Sequence, residues 1–168
     1  GDVRDLTTPD IGCDEYDLVL VDAGITNVLG VNAICPGITD VSAEVYNYGL
    51  VDQFSVIVNW SVNGVVQTPV TSNDTIVPTG TAIVPLGQYD FLTGVSYDIL
   101  VWTTMPNGQV DPSTVNDTYE YLGMQTAIFG TFTIGTTGDF LMIQDAADFI
   151  MMNGICGSVV FNIQPGVY

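Results

Sequence analysis

Asn63-Gly64 stands between two runs rich in β-branched and aromatic residues, 54–62 and 65–70, and no other feature narrows the choice of fold as much. A two-residue hairpin turn needs positive φ at both central positions, which Asn followed by Gly adopts at little steric cost. In the first run Val56, Val58 and Trp60 recur at every second position, the period of a strand with one packed face. Antiparallel strands are therefore expected to build this chain.

The same signals recur along the sequence. Runs at 18–29, 38–48, 74–85, 95–104, 118–122 and 126–134 are β-rich, and Cys35-Pro36-Gly37, Asn47-Tyr48-Gly49 and Pro106-Asn107-Gly108 punctuate them. Val41, Ala43 and Val45 alternate with Ser42, Glu44 and Tyr46; Tyr97, Ile99, Val101 and Thr103 alternate with Leu100 and Trp102. Seven or so short strands at this spacing predict a two-sheet sandwich. Trp60 and Trp102 are expected to fill its core, the alternative being an aromatic platform for sugars.

The period changes near Asp139. Phe140, Ile143, Ala147, Ile150 and Met151 fall at helical spacing, Asp139 is suited to cap the N-terminus, and Asn153-Gly154 to end the helix at about 139–152. Leu141, Met142, Phe149 and Met152 widen its apolar stripe, so it is expected to cover something on more than one side. A last strand is predicted at 158–163.

With 168 residues, 47% of them hydrophobic and 12% charged, the chain has the composition of a globular protein with one sizeable core. Its charge is lopsided: 19 Asp and Glu face one basic residue, Arg4, with no His, for a net charge of −18. Nucleic acid is excluded as a partner because phosphate neutralisation needs clustered Lys and Arg, and anionic membrane surfaces are disfavoured for the same reason. Such a surface suits salt adaptation or the attraction of cations, with Ca²⁺ the candidate outside a cell. No apolar run is long enough to span a bilayer as a helix, and the chain is expected to be mature or excised.

Without His, Ser-His and Cys-His catalysis cannot operate. Asp14 with Glu15, and Asp117 with Glu120, are the remaining acid and base pairs, and nothing predicts a cleft between them, so the expectation is that the chain is no enzyme. Oxygen ligands gather at 107–111 and at Asn116-Asp117, giving Asp111, Asn116 and Asp117 as candidate Ca²⁺ residues; Asp10, Asp14 and Glu15 form a second group. No other cofactor is expected. Asn59, Asn73 and Asn116 each begin an Asn-X-Ser/Thr sequon.

Three stretches resemble the large secreted surface proteins of the Bacteroidetes type, exported by the gliding-associated (type IX) secretion system. Residues 9–16 resemble the close of a parallel β-helix, with Cys13 where a small residue is usual. The series Asp22-Ala23-Gly24-Ile25, Cys35-Pro36-Gly37, Asn47-Tyr48-Gly49, 58–64, Pro106-Asn107-Gly108 and Asn116-Asp117-Thr118 is similar to their immunoglobulin-like adhesion module. Residues 130–135, the helix and 156–168 resemble the cap and first rung of another β-helix.

The resemblance implies an all-β chain in three parts: 1–17, the end of a preceding β-helix or a linker; 18–122, an immunoglobulin-like β-sandwich; and 123–168, a β-helix cap with one capping α-helix and first rung. It implies a non-catalytic structural and adhesion repeat of an extracellular filament or cell-surface adhesin, serving gliding motility or attachment. The competing class is a carbohydrate-binding or spacer module of a secreted polysaccharide-active enzyme. Because a lone rung leaves apolar surface that a solenoid buries only by stacking, the partners expected are identical copies or neighbouring repeats. Residues 1–17 of one unit would meet 131–168 of the next, through Ile11, Tyr16, Phe140, Ile143, Phe149 and Phe161. Surface glycans are a further candidate partner. Thr75, in Asp74-Thr75-Ile76, resembles the O-glycosylation site of such proteins. An oxidising compartment would allow Cys13 to join Cys35; three free thiols, or Cys13 joined to Cys156 of a neighbour, are the alternatives.

Overall fold

The computed structural model describes residues 19–31 and 34–166. Two antiparallel sheets pack face to face. The first holds β1 (Ala23–Leu29), β2 (Gly37–Asn47) and β6 (Thr81–Phe91) in that order; the second runs β4 (Val65–Val66), β3 (Val56–Val62), β7 (Ser96–Thr104), β8 (Thr118–Gln125), with β5 (Val70–Ser72) also on β3. The core is what period two dictates: Val41, Ala43 and Val45 of β2 face Val56, Val58, Trp60 and Val62 of β3 and Tyr97, Ile99 and Val101 of β7, all buried. Phe91, Tyr89 and Tyr97 lock one end through edge-on ring contacts.

Asn63 and Gly64 turn with φ of 48° and 76°, the positive pair the hairpin needs. The returning strand is not continuous over 65–70. It splits into β4 and β5 around Pro69, while Gln67 N–H donates to the Trp60 carbonyl and the Trp60 indole donates to the Thr68 carbonyl at 3.2 Å.

Three further expectations need correction. The strand placed at 74–85 lies at Thr81–Phe91, preceded only by an isolated bridge between Gln53 and Ile76. Pro85 does not end β6, because β6 is an edge strand and the register shifts beside Pro85, where no ladder N–H is required. Trp102 is not in the core. It shares the outer face of its sheet with Leu100, as alternation demands, and is half-buried there, whereas Trp60 is 3% exposed.

Beyond the sandwich, β9 (Ile128–Ile134), α1 (Ile143–Asn153) and β10 (Ile155–Ile163) form a β–α–β unit whose two strands run parallel. Asp139 does not cap the helix. Its carboxylate accepts hydrogen bonds from Thr133 N–H and hydroxyl, which hold it well ionised below the usual carboxylate range, and the cap is supplied by Asp145, which accepts from Met142 N–H at 3.1 Å. Two ties fix the unit to the sandwich. Ala127 N–H donates to the Ile34 carbonyl at 2.8 Å, and a disulfide joins Cys35 to Cys156. That pairing differs from every alternative drawn from the sequence; Cys13 lies outside the described residues.

Candidate functional site

Two regions carry the features that a function could use: a cluster of oxygen-bearing side chains at one end of the sandwich, and the open end of the β–α–β unit.

The cluster forms where residues 109–117 cross the start of β1. Gly24 allows the crossing, since a Cβ there would stand 2.5 Å from the Asn116 carbonyl oxygen. That carbonyl accepts from Ile25 N–H at 3.1 Å, and the Asp117 carbonyl accepts from Thr103 N–H at 3.1 Å. Asp111 staples the loop down: its carboxylate accepts from Ala23 N–H at 2.8 Å and from Ser113 N–H at 3.0 Å. Asp22, 5% exposed, accepts from the Asn116 amide at 2.9 Å, and its backbone carbonyl accepts from the Gln53 amide at 2.6 Å.

The sequence-derived trio Asp111, Asn116 and Asp117 is thus brought together, and Asp22 and Gln53 join it unannounced. Asp22-Ala23-Gly24 was visible as a motif, but only the fold shows that the loop lands on it. Burial raises the pKa of Asp22, partly offset by the Asn116 hydrogen bond. Burial, followed by repulsion from Asp111 and Asp22, pushes Asp117 up to about 6. No described side chain is basic, so no ion pair among them relieves this repulsion. Among the described residues no three Asp, Glu or Cys side chains converge closely enough to hold a metal ion by themselves. Asn107 does not join the group; its side chain holds Phe54 N–H and the Asp52 carbonyl. Asp10, Asp14 and Glu15 lie outside the described residues.

At the other end, parallel pairing stacks like on like. Phe161 lies over Phe132 and Ile163 over Ile134 in register. Phe140 and Phe149 close on the phenylalanine pair with ring centroids 5.2–6.4 Å apart. Burial falls steeply across the stack, from 2% exposure at Ile134 to 55% at Ile163. Ile143 is 49% exposed, and Phe140, Phe149 and Phe161 are each only half-buried. Ile11 and Tyr16, the proposed complement, lie outside the described residues.

The modification candidates separate clearly. Asn73 and Thr75 are exposed between β5 and Ile76. Asn59 is mid-strand, its amide donating to Thr104 Oγ1 at 2.9 Å, and the Asn116 amide is committed to Asp22, so neither presents a free amide as a glycosylation site would. Glu120 lines an open cleft of about 540 Å³ between β8 and the end of α1, and Asp117 does not line that cleft.

No protein-family model and no curated protein matches the sequence. Solved structures do match. The crystal structure of the CARDB domain of the PF1109 protein from Pyrococcus furiosus, in complex with di-metal ions, aligns with a TM-score of 0.50 at 15% identity, covering 64% of this chain and 96% of that one. Residues 272–376 of a protein from Methanosarcina acetivorans, described as a cell surface protein, align with a TM-score of 0.52 at 21% identity, covering 63% of this chain and 92% of that one. The two packed sheets are therefore similar in fold to a CARDB domain, as an all-β sandwich. At these identities the likeness is one of fold. Among the described residues no helix is long and apolar enough to cross a membrane, which says nothing of β-barrels.

Proposed function

We propose that this chain is a non-catalytic spacer and adhesion module of an extracellular filament or cell-surface adhesin, of the kind secreted by Bacteroidetes-type systems, and that copies or neighbouring repeats join head to tail. The observation that carries this reading is the open stack. Ile163 continues a column whose first member, Ile134, is buried, yet Ile163 itself is 55% exposed. Leu141, Met142, Ile143, Met151 and Met152 add exposed apolar surface around it. A further parallel strand laid on β10 would extend the column and cover Ile163, which is how a β-helix adds a rung. A contact between unlike ends does not close on itself and so gives a linear polymer. The cell-surface description of one solved neighbour is in keeping with this location.

Sedimentation velocity over a range of concentrations tests the reading. Wild type should form a growing ladder of species, and Ile163→Asp, which alters an exposed side chain, should remain monomeric with its melting temperature nearly unchanged. Wild type that stays monomeric, or a variant that associates equally well, contradicts it.

Trp102 favours a second reading, that of a carbohydrate-binding module. The ring is half-buried on the outer sheet face, paired in register with Asn59 on one side and Thr118 on the other. Glycan-array binding that disappears in Trp102→Ala would support it, and a spacer should bind no glycan specifically.

A further inference from the structure

Among the described residues, three buried side-chain atoms have no hydrogen-bond partner: Gln53 Oε1, Asn116 Oδ1 and Asp117 Oδ1. All three are oxygens, and all three belong to the surroundings of Asp22. Gln53, which is 0% exposed, donates its amide to the Asp22 carbonyl; Asn116 donates its amide to the Asp22 carboxylate; Asp117 is repelled by the charges of Asp22 and Asp111. In each amide the nitrogen is held by an acceptor on Asp22, so turning the group over would set oxygen against oxygen. The unpartnered oxygens are therefore fixed by their neighbours and not interchangeable with donors.

A buried acceptor without a donor is costly, and three around one residue, two of them beside carboxylates that repel each other, leave unmet a demand for donors or a cation. No basic side chain among the described residues meets it. We propose that this oxygen cluster binds a calcium ion, with Asp22, Asn116 and Asp117 supplying oxygen ligands, Gln53 completing the shell directly or through water, and Asp111 positioning the loop. Because no three carboxylates converge there, the shell is mixed, of carboxylate, amide and water oxygens. Ca²⁺ accepts six to eight such ligands in flexible geometry, whereas Mg²⁺ demands near-ideal octahedral placement. An ion there would tie loop 109–117 to the start of β1, the two segments that the carboxylates otherwise drive apart.

The test is thermal unfolding of the whole chain after treatment with a chelator, titrated with CaCl₂ and with NaCl at matched ionic strength. In wild type and in Glu120→Gln, whose carboxylate is not part of the cluster, CaCl₂ should raise the melting temperature saturably and NaCl should not. Asp117→Asn removes a charge without removing an existing hydrogen bond, so the variant should fold, and its apparent calcium affinity should fall at least tenfold. A rise that NaCl reproduces, no rise at all, or a full calcium response in Asp117→Asn overturns the proposal. The outcome is independent of whether copies associate, since it is read at concentrations where the chain is monomeric.

Discussion

At the scale of single residues, several side chains act against their ordinary habits. Asp117 is the clearest: a carboxylate pushed up to about 6 binds its proton more tightly in the folded chain than at the unfolded value of 3.8. Its contribution is therefore most favourable below about pH 4 and is lost as pH rises through about 6. In calcium-free buffer Asp117→Asn should be more stable than wild type at pH 7 by roughly 1–2 kcal/mol, with the difference vanishing near pH 4, as denaturant unfolding across that range would show. Asn47 does the opposite work. It is fully buried, donates its amide to the Val51 and Ile76 carbonyls and accepts from Gly49 N–H. Asn47→Ala should cost on the order of 2 kcal/mol, because it removes three hydrogen bonds at once, although Gly49 N–H still reaches the Asp22 carbonyl and the Ile76 carbonyl still accepts from Gln53 N–H. The sequence showed Asn47-Tyr48-Gly49 as a turn, but the long-range bond to Ile76 depends on which segment the turn happens to face. Thr75 and Asn73 are the exposed modification candidates, and intact mass of the chain purified from its native source should show an adduct that is lost in Thr75→Ala; an unmodified wild-type chain would contradict the resemblance.

At the scale of elements, alternation was a better guide than residue size. It placed Val41, Ala43 and Val45 inward correctly and set Trp102 opposite Ile99 and Val101, even though a tryptophan in the core is the usual expectation. What it could not show was β6 passing through Pro85, since a proline's tolerance depends on whether the strand is at an edge. Nor could the sequence show that Asp139 would leave the cap to Asp145, because what holds Asp139 away is Thr133, which only the fold sets beside its carboxylate. The Cys35–Cys156 bond was illegible for a related reason: it spans 121 residues and joins two units whose packing is a tertiary matter. Closing so long a loop is worth roughly 2–4 kcal/mol. Cys156→Ser should therefore lower the melting temperature and speed amide hydrogen exchange most in β9, α1 and β10, whereas equal effects throughout would mean that the bond does not anchor that unit.

At the scale of the whole molecule, two tendencies oppose each other. A net charge of −18 repels other copies, while the open stack on β10 leaves apolar surface exposed, Ile163 among it. Added salt screens the first and leaves the second, so association should strengthen as ionic strength rises, the reverse of an interface built on ion pairs. The β-sandwich follows from patterns local to the sequence and the stack beyond it was expected only from the family resemblance, whereas the oxygen cluster beside Asp22 exists only once residues 109–117 fold back across β1. Electron microscopy of the purified chain, over a range of protein and salt concentrations, tests head-to-tail joining most directly. Unbranched filaments that are absent in Ile163→Asp are the predicted result; dispersed single particles under every condition would contradict it.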